Sequence, residues 1–376
     1  MKRTFIYLIL SIFAAFQLLC AQFLIEKTDG SFVNLFDEKL YFSEDSRSGN
    51  WAIGDEYSEE NDVENIVSVR RAFPSVPFDS DFYYGRSLLE TEQEKAAYDY
   101  LLNTFLTYTP PAGTTGIVKR IAVDFASAAI EVTYDQLLKI GKYLSADEPR
   151  LLMVQSFVPK GDPTAMVSPP TTGNVGIVYY DARFYNVSLA YSIQSNNMAK
   201  IEAKVSTILA KLKNDMTDAQ KFRVLHDEFI KSVSYGGMST GASATIEGAF
   251  IPNNYGYCAI VCQGYARGLQ YLCQRAGIQV IYITGTASYS EPPVDHAWNM
   301  VKIEGQWYNT DPTNDDPPTG ASIPVRYDDF LQSDNDFLHD HTPGISTQGT
   351  AVSYPVFPQT AAESYPLADT EYPIAD

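Results

Sequence analysis

Apolar residues recur every three or four positions in several segments of the chain, a pattern that predicts amphipathic helices. Three of these segments begin with Thr followed three residues later by Glu or Gln, the spacing of a capping box: 91–109, 133–144 and 217–233. Helices are also predicted at 198–212 and from about 261 to 276, where Gly277 ends the pattern.

Shorter apolar runs predict strands. Residues 23–85 alternate such runs with acidic turn stretches, which favours a small β-rich region with a hairpin at Asp29-Gly30. Further strands are predicted at 175–180, paired with 184–192, at 280–284, and at 296–303 and 306–311, the last two joined by a turn at Glu304-Gly305.

The first segment has the pattern of a secretory signal peptide. A basic start at Met1–Arg3 precedes an apolar run from Phe5 to Leu19, and Ala21 supplies a small residue at the cleavage point. We therefore expect residues 1–21 to be removed and the protein to be secreted, periplasmic or held at the cell surface. A lipid anchor through Cys20 is the alternative, although Leu19 is unfavourable directly before a lipidated Cys. No later stretch is long and apolar enough to predict a membrane span.

Composition narrows the class of protein. The chain has 376 residues, of which 45% are hydrophobic, so it can bury a substantial core and is not a disordered chain. Against 46 acidic residues it has 27 Lys and Arg, a net charge of −19. This balance disfavours binding to nucleic acid or to anionic membranes, because both require a broad basic surface.

Cysteine usage indicates a free thiol. Once residues 1–21 are removed, Cys258, Cys262 and Cys273 remain, all within sixteen positions. An odd number of clustered cysteines in an exported chain is not typical of a disulfide scaffold. At least one thiol is therefore predicted to be unpaired.

Cys262 is the candidate nucleophile. It belongs to the apolar stripe of the predicted helix 261–276 and lies in its first turn, where backbone N–H groups and the helix dipole favour an anion. Residues 259–261 contain no side chain that would cap those N–H groups. Gly264 and Gly268 would let the helix lie close to a backbone. On this helix alone, Cys262 could equally be a small buried apolar residue.

The predicted hairpin supplies a base and a group to orient it. With a two-residue turn, Ile303 pairs with Gln306 and Trp298 pairs with Asp311, so His296 lies diagonally across from Asp311 on the same face. An imidazole backed by a carboxylate is what a thiol nucleophile needs for acyl transfer. Together the two elements predict a Cys-His-Asp catalytic site.

These residues resemble the transglutaminase-like superfamily. The similarity lies in three ordered motifs at 257–266, 295–301 and 309–317, and helix 217–233 resembles the helix that precedes the core in bacterial members. The resemblance covers about residues 200–320. It implies an α+β, papain-like core in which the nucleophile helix packs on an antiparallel sheet, with Cys262, His296 and Asp311 as the triad. One departure is Asn314, where bacterial members usually have Trp.

The resemblance also implies an activity. We expect a peptidase or amidase that cleaves peptide or protein amides through a Cys thioester, with no cofactor; the alternatives are a protein-glutamine amine transferase and a non-catalytic binding module of the same fold. The predicted organisation is a signal peptide at 1–21, a β-rich region at 22–88, a helix and strand region at 89–195, the core at 196–327 and an acidic segment rich in Pro and Tyr at 328–376.

Other residues have weaker signals. The candidates for contact with substrate are Tyr257, Gln263, Trp298 and Asn314, with Trp298 alternatively shielding the His–Asp pair. A metal site at Cys258, Cys262 and His296 is disfavoured because a second close ligand pair is missing. The remaining histidines are interpreted as structural at His226 and as solvated surface at His339 and His341.

Overall fold

The computed structural model describes four short strands between residues 24 and 54 and a longer part of the chain beyond them. That part comprises residues 78–108, 114, 116–163, 168–169, 172–236, 241–289, 292–318, 323, 325–344 and 354–372. The predicted signal peptide 1–21 and the alternative lipid site at Cys20 lie outside the described residues. Contacts divide the chain into two compact units, residues 1–65 and 66–376.

The first unit contains two antiparallel hairpins. Strand β1 (Leu24–Glu26) pairs with β2 (Phe32–Asn34), which confirms the hairpin predicted at Asp29-Gly30. Strand β3 (Tyr41–Glu44) pairs with β4 (Trp51–Gly54).

The second unit mixes helices and strands. Its α-helices are α1 Tyr84–Ser87, α2 Glu92–Thr107, α3 Tyr134–Asp147, α4 Val187–Leu209, α5 Asp218–Ile230, α6 Ile246–Phe250, α7 Cys262–Ala276 and α8 Asp334–Phe337. Its strands are β5 Ile117–Asp124, β6 Ile177–Asn186, β7 Val233–Tyr235, β8 Cys258–Ile260, β9 Val280–Ala287, β10 Val294–Ile303, β11 Gln306–Thr310 and β12 His341–Pro343. In this described part, no helix combines the length and apolar character needed to span a bilayer.

Three helices begin where the sequence predicts. At the start of α2, α3 and α5, a Thr hydroxyl accepts the backbone N–H three residues on, and the side chain of that residue accepts the N–H of the Thr: Thr91 with Glu94, Thr133 with Gln136 and Thr217 with Gln220. Each capping box satisfies two N–H groups that the helix itself cannot bond. The predicted capping boxes are therefore confirmed.

A four-stranded antiparallel sheet in the order β11-β10-β9-β12 forms the platform for the candidate site. The turn between β10 and β11 consists of Glu304 and Gly305, which both have positive φ (51° and 86°), as a two-residue hairpin turn requires. Ile303 pairs with Gln306, so the predicted register is confirmed. Helix α7 packs on β9 and β10, and the Asn299 amide of β10 donates to the Ala266 carbonyl of α7 at 3.1 Å. The α+β class with a helix on an antiparallel sheet is thus confirmed.

A second, two-stranded sheet corrects one prediction. Strand β6 pairs antiparallel with β5, and the chain turns into α4 at Val187. The predicted pairing of 175–180 with 184–192 is therefore wrong. Short apolar runs do not distinguish strand from helix by periodicity, and the true partner lies about sixty residues earlier in the chain.

A buried carboxylate fixes the end of α3. Asp147 accepts hydrogen bonds from the hydroxyls of Tyr98 and Tyr354, both at 2.6 Å, and from the backbone N–H groups of Gly85 (3.0 Å) and Arg86 (3.2 Å). These donors come from α1, α2 and the C-terminal segment. One side chain therefore connects four parts of the second unit.

The same end of α3 is fastened to α7. The buried amide of Gln270 donates to the carbonyl of Ala146 at 2.7 Å, and that of Gln274 donates to the carbonyl of Asp147 at 2.8 Å. Both glutamines belong to the helix that begins at Cys262. The position of this helix is therefore fixed from two sides, by the sheet and by α3.

Candidate active site

Cys262 is the first residue of α7, as the sequence predicts. The cap position is Val261, which provides no side-chain hydrogen bond to the helix N-terminus, and Gly277 ends the helix in the left-handed conformation at φ 82°. The apolar stripe behind Cys262 is buried: Tyr265, Ala266, Leu269, Leu272 and Cys273. Cys262 itself is half-buried at the exposed end of this stripe. Its sulfur therefore lies at an uncapped, electropositive helix terminus.

A close backbone approach fixes the start of α7. The Ser243 carbonyl accepts the Val261 N–H at 3.1 Å, and a Cβ added to Gly264 would lie 2.3 Å from the same oxygen. The prediction that Gly264 allows a close backbone contact is confirmed. For Gly268 it is wrong, because the space beside it is filled by the ring of Phe229 and not by backbone.

Gly264→Ala is therefore expected to destabilise the protein by about 2–3 kcal/mol, since the added methyl group must displace a backbone carbonyl. Urea unfolding followed by fluorescence measures the change. The matched control is Gln263→Ala at the exposed neighbouring position, which should change stability by less than about 0.5 kcal/mol. Equal stability of Gly264→Ala and wild type would contradict the close contact.

His296 and Asp311 form a buried pair on the hairpin. His296 Nε2 donates to Asp311 Oδ2 at 2.7 Å, with His296 7% exposed and Asp311 fully buried. The His296 ring is also hydrogen-bonded to the Cys262 side chain. Because Nε2 is engaged by Asp311, the ring nitrogen left for the sulfur is Nδ1. The structure thus brings together the three side chains that the sequence singled out.

In the His296–Asp311 pair, each residue stabilises the charged form of the other. Burial lowers the pKa of His296, but the Asp311 carboxylate and the Cys262 sulfur outweigh it and raise the pKa to about 10. Burial raises the pKa of Asp311, but His296 and His341 more than compensate and hold it well below its usual range. The site therefore favours a charged imidazolium beside an ionised carboxylate.

Two residues that the sequence did not assign to the site contact Asp311. The Tyr289 hydroxyl donates to Asp311 Oδ2 at 2.8 Å and lies 2.7 Å from His341 Nε2. His341 Nε2 is 3.6 Å from Asp311 Oδ2, and its Nδ1 is 2.6 Å from Asp340 Oδ1. No sequence signal marked Tyr289, which precedes His296 by seven residues.

The interpretation of His341 as solvated surface is wrong. Its exposed fraction is 1%, and its ring stacks on Phe337 with centroids 3.9 Å apart. The acidic stretch around it suggested solvent, whereas the apolar residue four positions earlier was the usable signal. His339, by contrast, has an exposed side chain, as predicted. His226 is fully buried between Asp227 (3.2 Å) and Asp315 (3.1 Å), which confirms its structural interpretation.

The four predicted substrate contacts have different locations. Tyr257 is 52% exposed in the loop before the nucleophile, and Gln263 is exposed beside it. Trp298 is fully buried and stacks on His296, with centroids 6.1 Å apart, so it shields the pair and cannot contact substrate. Asn314 is half-buried and donates to the Asp329 carboxylate. As a substrate contact Trp298 is thus corrected, while the other three remain predictions.

The three cysteines are free thiols with different surroundings. Cys258 and Cys273 are buried, and burial raises the pKa of both. Cys262 is the half-exposed member of the set. It is therefore the thiol that a dissolved substrate can reach.

Among the described residues, His296, Asp311 and His341 have ligand atoms close enough together to hold a metal ion, all within 4.8 Å. His296 and Asp311 are already hydrogen-bonded to each other, and their separation of 2.7 Å is shorter than the spacing of about 3.3 Å between ligands of a tetrahedral zinc. As arranged, the group fits a hydrogen-bonded pair better than a metal site.

A groove of about 1100 Å³ adjoins the start of α7. Its walls are α3, the segment that follows α3, and the face of α7 and β9 that includes Gln263, Arg267, Tyr282 and Thr284. Arg267 lies over the ring of Tyr282, its guanidinium carbon 4.0 Å from the ring centroid. Gln263, the residue after Cys262, is the member of this lining that lies nearest in sequence to the nucleophile candidate.

Comparison with known proteins agrees with this core. Residues 206–312 match the family model of the transglutaminase-like superfamily. Over 95 residues, 22% of this chain, the sequence is 30% identical to Kyphoscoliosis peptidase of Mus musculus, and the match spans 14% of that protein. The chain thus covers about a seventh of this curated relative.

Two solved structures are also similar to this chain. One is described as a candidate cysteine protease from Cytophaga hutchinsonii: 15% identity, coverage of 55% of this chain and 69% of that chain, and a TM-score of 0.23. The other is described as a TGase: 13% identity, coverage of 45% and 54%, and a TM-score of 0.24.

Proposed function

We propose that this chain, whose residues 206–312 belong to the transglutaminase-like superfamily, is an exported cysteine acyl-transfer enzyme that cleaves peptide amides. One observation carries the proposal. The half-exposed Cys262 at the start of α7 is hydrogen-bonded to His296, which in turn is bonded at 2.7 Å to the buried Asp311. A non-catalytic binding module has no physical need for these three groups in this order.

The reaction follows from the roles of these atoms. His296 Nδ1 takes the proton of Cys262, while Asp311 holds the Nε2–H and so fixes the ring. The thiolate attacks the amide carbonyl, and backbone N–H groups at the start of α7 stabilise the developing oxyanion. The carbon–nitrogen bond breaks as His296 returns the proton to the leaving amine, which yields a thioester. A water molecule, deprotonated by His296, then attacks the thioester and releases the acid and the thiol.

The groove beside Gln263 is the proposed substrate site. Its volume of about 1100 Å³ accommodates an extended peptide segment, and it runs from α3 to the residue after Cys262. Its lining combines apolar side chains with basic ones (Lys142, Arg183 and Arg267) and acidic ones (Glu148 and Glu247), which suits a peptide with both apolar and charged groups. Export is part of the proposal on the strength of the basic and apolar pattern of residues 1–21.

Hydrolysis and amine transfer share every step up to the thioester. We favour hydrolysis because no stretch of the sequence has the pattern of a calcium-binding loop, which animal cross-linking enzymes use. Incubation with a peptide library plus a primary amine, with products identified by mass, separates the two. Hydrolysis adds the mass of water at a cleaved bond, whereas transfer replaces the ammonia of a side-chain amide, so the product gains the mass of the amine minus that of the ammonia released. Absence of both products, with the protein folded, would overturn the proposed function.

The pH dependence of turnover should reflect the pKa of His296. Because this pKa is raised to about 10, we expect kcat/KM to stay high through the neutral range and to fall as pH rises through about 10, where the leaving amine loses its proton donor. The contribution of the His296–Asp311 pair to the free energy of unfolding also falls as pH rises. It is complete below the unfolded value of about 6.5 and is lost as pH rises through about 10. A fall in kcat/KM already near pH 7, with circular dichroism unchanged, would contradict the ion pair.

A further inference from the structure

Behind Asp311 lies a second chain of hydrogen bonds that the triad chemistry does not use. It runs from Asp311 Oδ2 to the Tyr289 hydroxyl (2.8 Å), on to His341 Nε2 (2.7 Å), and from His341 Nδ1 to Asp340 Oδ1 (2.6 Å). The backbone supports it, since the Ser288 N–H donates to the Asp340 carbonyl at 2.8 Å. Strand β12 pairs with β9 at His341 and Ala287, so the two segments are held in register.

The number of protons that these hydrogen bonds require defines the protonation of His341. A carboxylate can only accept, so Asp340 requires a proton on His341 Nδ1, and Asp311 requires the single hydroxyl proton of Tyr289. The Tyr289 oxygen then needs a donor at 2.7 Å, which must be His341 Nε2. A neutral His341 would leave one of these three contacts without a proton between its heavy atoms. All three are satisfied only when His341 is protonated on both nitrogens.

The surroundings are consistent with a positive His341. The charged or titratable groups that face it are Asp340, Asp311, Asp329, Tyr289 and His296, with His339 reached through Asp340. Three are carboxylates. Apolar surfaces fill the rest, with Phe337 stacked at 3.9 Å and Trp298 edge-on at 5.0 Å.

We propose that His341, doubly protonated between Asp340 and Tyr289, is a positioning residue that fixes the Asp311 carboxylate against His296 through the Tyr289 hydroxyl. This role rests on the proposed function and adds residues to it. The backbone N–H of Thr313 holds the other oxygen, Asp311 Oδ1, at 2.9 Å. With both oxygens held, the carboxylate cannot rotate away when His296 gains or returns a proton. Tyr289, 43% exposed, also packs edge-on against the His296 ring, with centroids 5.3 Å apart.

Three variants test this chain of hydrogen bonds from Asp311 to Asp340. Tyr289→Phe keeps the ring and removes the bridging hydroxyl, His341→Gln keeps a donor toward Tyr289 and removes the charge, and Asp340→Asn keeps an acceptor and removes the counter-charge. For Tyr289→Phe we expect kcat to fall about tenfold with KM within about twofold. For His341→Gln we expect the high-pH fall of the kcat/KM profile, which follows the pKa of His296, to move up by about 0.5–1 pH unit, because His296 holds its proton more tightly when a nearby positive charge is removed. Asp340→Asn removes a negative charge one contact farther away, so it should give a smaller shift in the opposite direction.

The control is His339→Gln, an exposed histidine two residues away, which should leave the profile unchanged. A merely structural role would lower stability and kcat without moving the limb of the kcat/KM profile. That outcome in the folded variants would overturn the proposal. An unaltered profile together with an unaltered rate would also overturn it. If His341→Gln does not fold, Tyr289→Phe and Asp340→Asn still decide. The pH dependence of iodoacetamide alkylation at Cys262 gives a readout without turnover. If the variants show these shifts in alkylation but the wild-type protein cleaves no amide, the proposed function is refuted and the positioning role of His341 is retained.

Discussion

Replacing Cys262 by Ala is expected to reduce amide turnover by about 10⁴-fold or more while leaving the fold intact. In the proposed mechanism the sulfur is the atom that bonds to the substrate carbonyl, and neither His296 nor the uncapped helix terminus can replace it. Deleting the small, half-buried side chain leaves the buried stripe of α7 unchanged, from Tyr265 to Cys273. Product formation by mass spectrometry and circular dichroism of the same sample measure the two parts of this prediction.

The matched control is Cys258→Ala, which removes a buried thiol four residues earlier on β8. It should retain turnover and labelling by a thiol-directed probe, and Cys262→Ala should lose both. Labelling that persists in Cys262→Ala would show that the reactive thiol is Cys258 or Cys273 and not Cys262. Turnover that persists in Cys262→Ala would show that Cys262 is not the nucleophile.

Replacing Asp147 by Ala is expected to cost about 3–5 kcal/mol of the free energy of unfolding. The change leaves the hydroxyls of Tyr98 and Tyr354 and the N–H groups of Gly85 and Arg86 buried without their acceptor. Asp147→Asn should cost less, because one oxygen still accepts, although the amide nitrogen then faces a backbone N–H. Urea unfolding monitored by fluorescence gives the values.

The control for this prediction is Asp99→Ala, which removes the partner of Arg86 in a surface ion pair. Exposed pairs of this kind contribute about 0–1 kcal/mol. Burial raises the pKa of Asp147 to about 6, so its ionisation lowers stability as pH rises from about 4 through about 6. The cost of Asp147→Ala should therefore be larger at pH 4 than at pH 7. Equal stability of Asp147→Ala and Asp99→Ala would contradict the proposed role of the carboxylate.

Local patterns predicted the parts of the molecule that depend on neighbours in sequence. The capping box at Thr91 and the turn at Glu304-Gly305 each involve residues within four positions, so their chemistry is visible in the sequence. The turn then determined the register, and the register placed His296 beside Asp311. The His–Asp pair is therefore predictable from the amino-acid sequence alone.

Features built from distant segments could not be predicted in this way. Tyr289 and His341 meet because β12 pairs with β9, and no local spacing encodes that pairing. The partner of β6 is β5, with helix α3 between them in the chain. The acidic residues around His341 pointed to solvent because composition is averaged over a segment, whereas burial is decided residue by residue. The groove similarly depends on segments more than one hundred residues apart.

The glutamine amides of α7 make the candidate site depend on a helix that lies outside the family match. The match to the superfamily starts at residue 206, yet Gln270 and Gln274 donate to carbonyls at 146 and 147, about sixty residues upstream. A fragment cut at the family limits would leave these amides facing nothing that the fragment contains. Grafting the candidate site onto another scaffold would therefore require the last turn of α3 to be carried along. Substitutions in that upstream helix are limited by the hydrogen bonds it accepts from α7, although it contributes no side chain to the Cys262, His296 and Asp311 group.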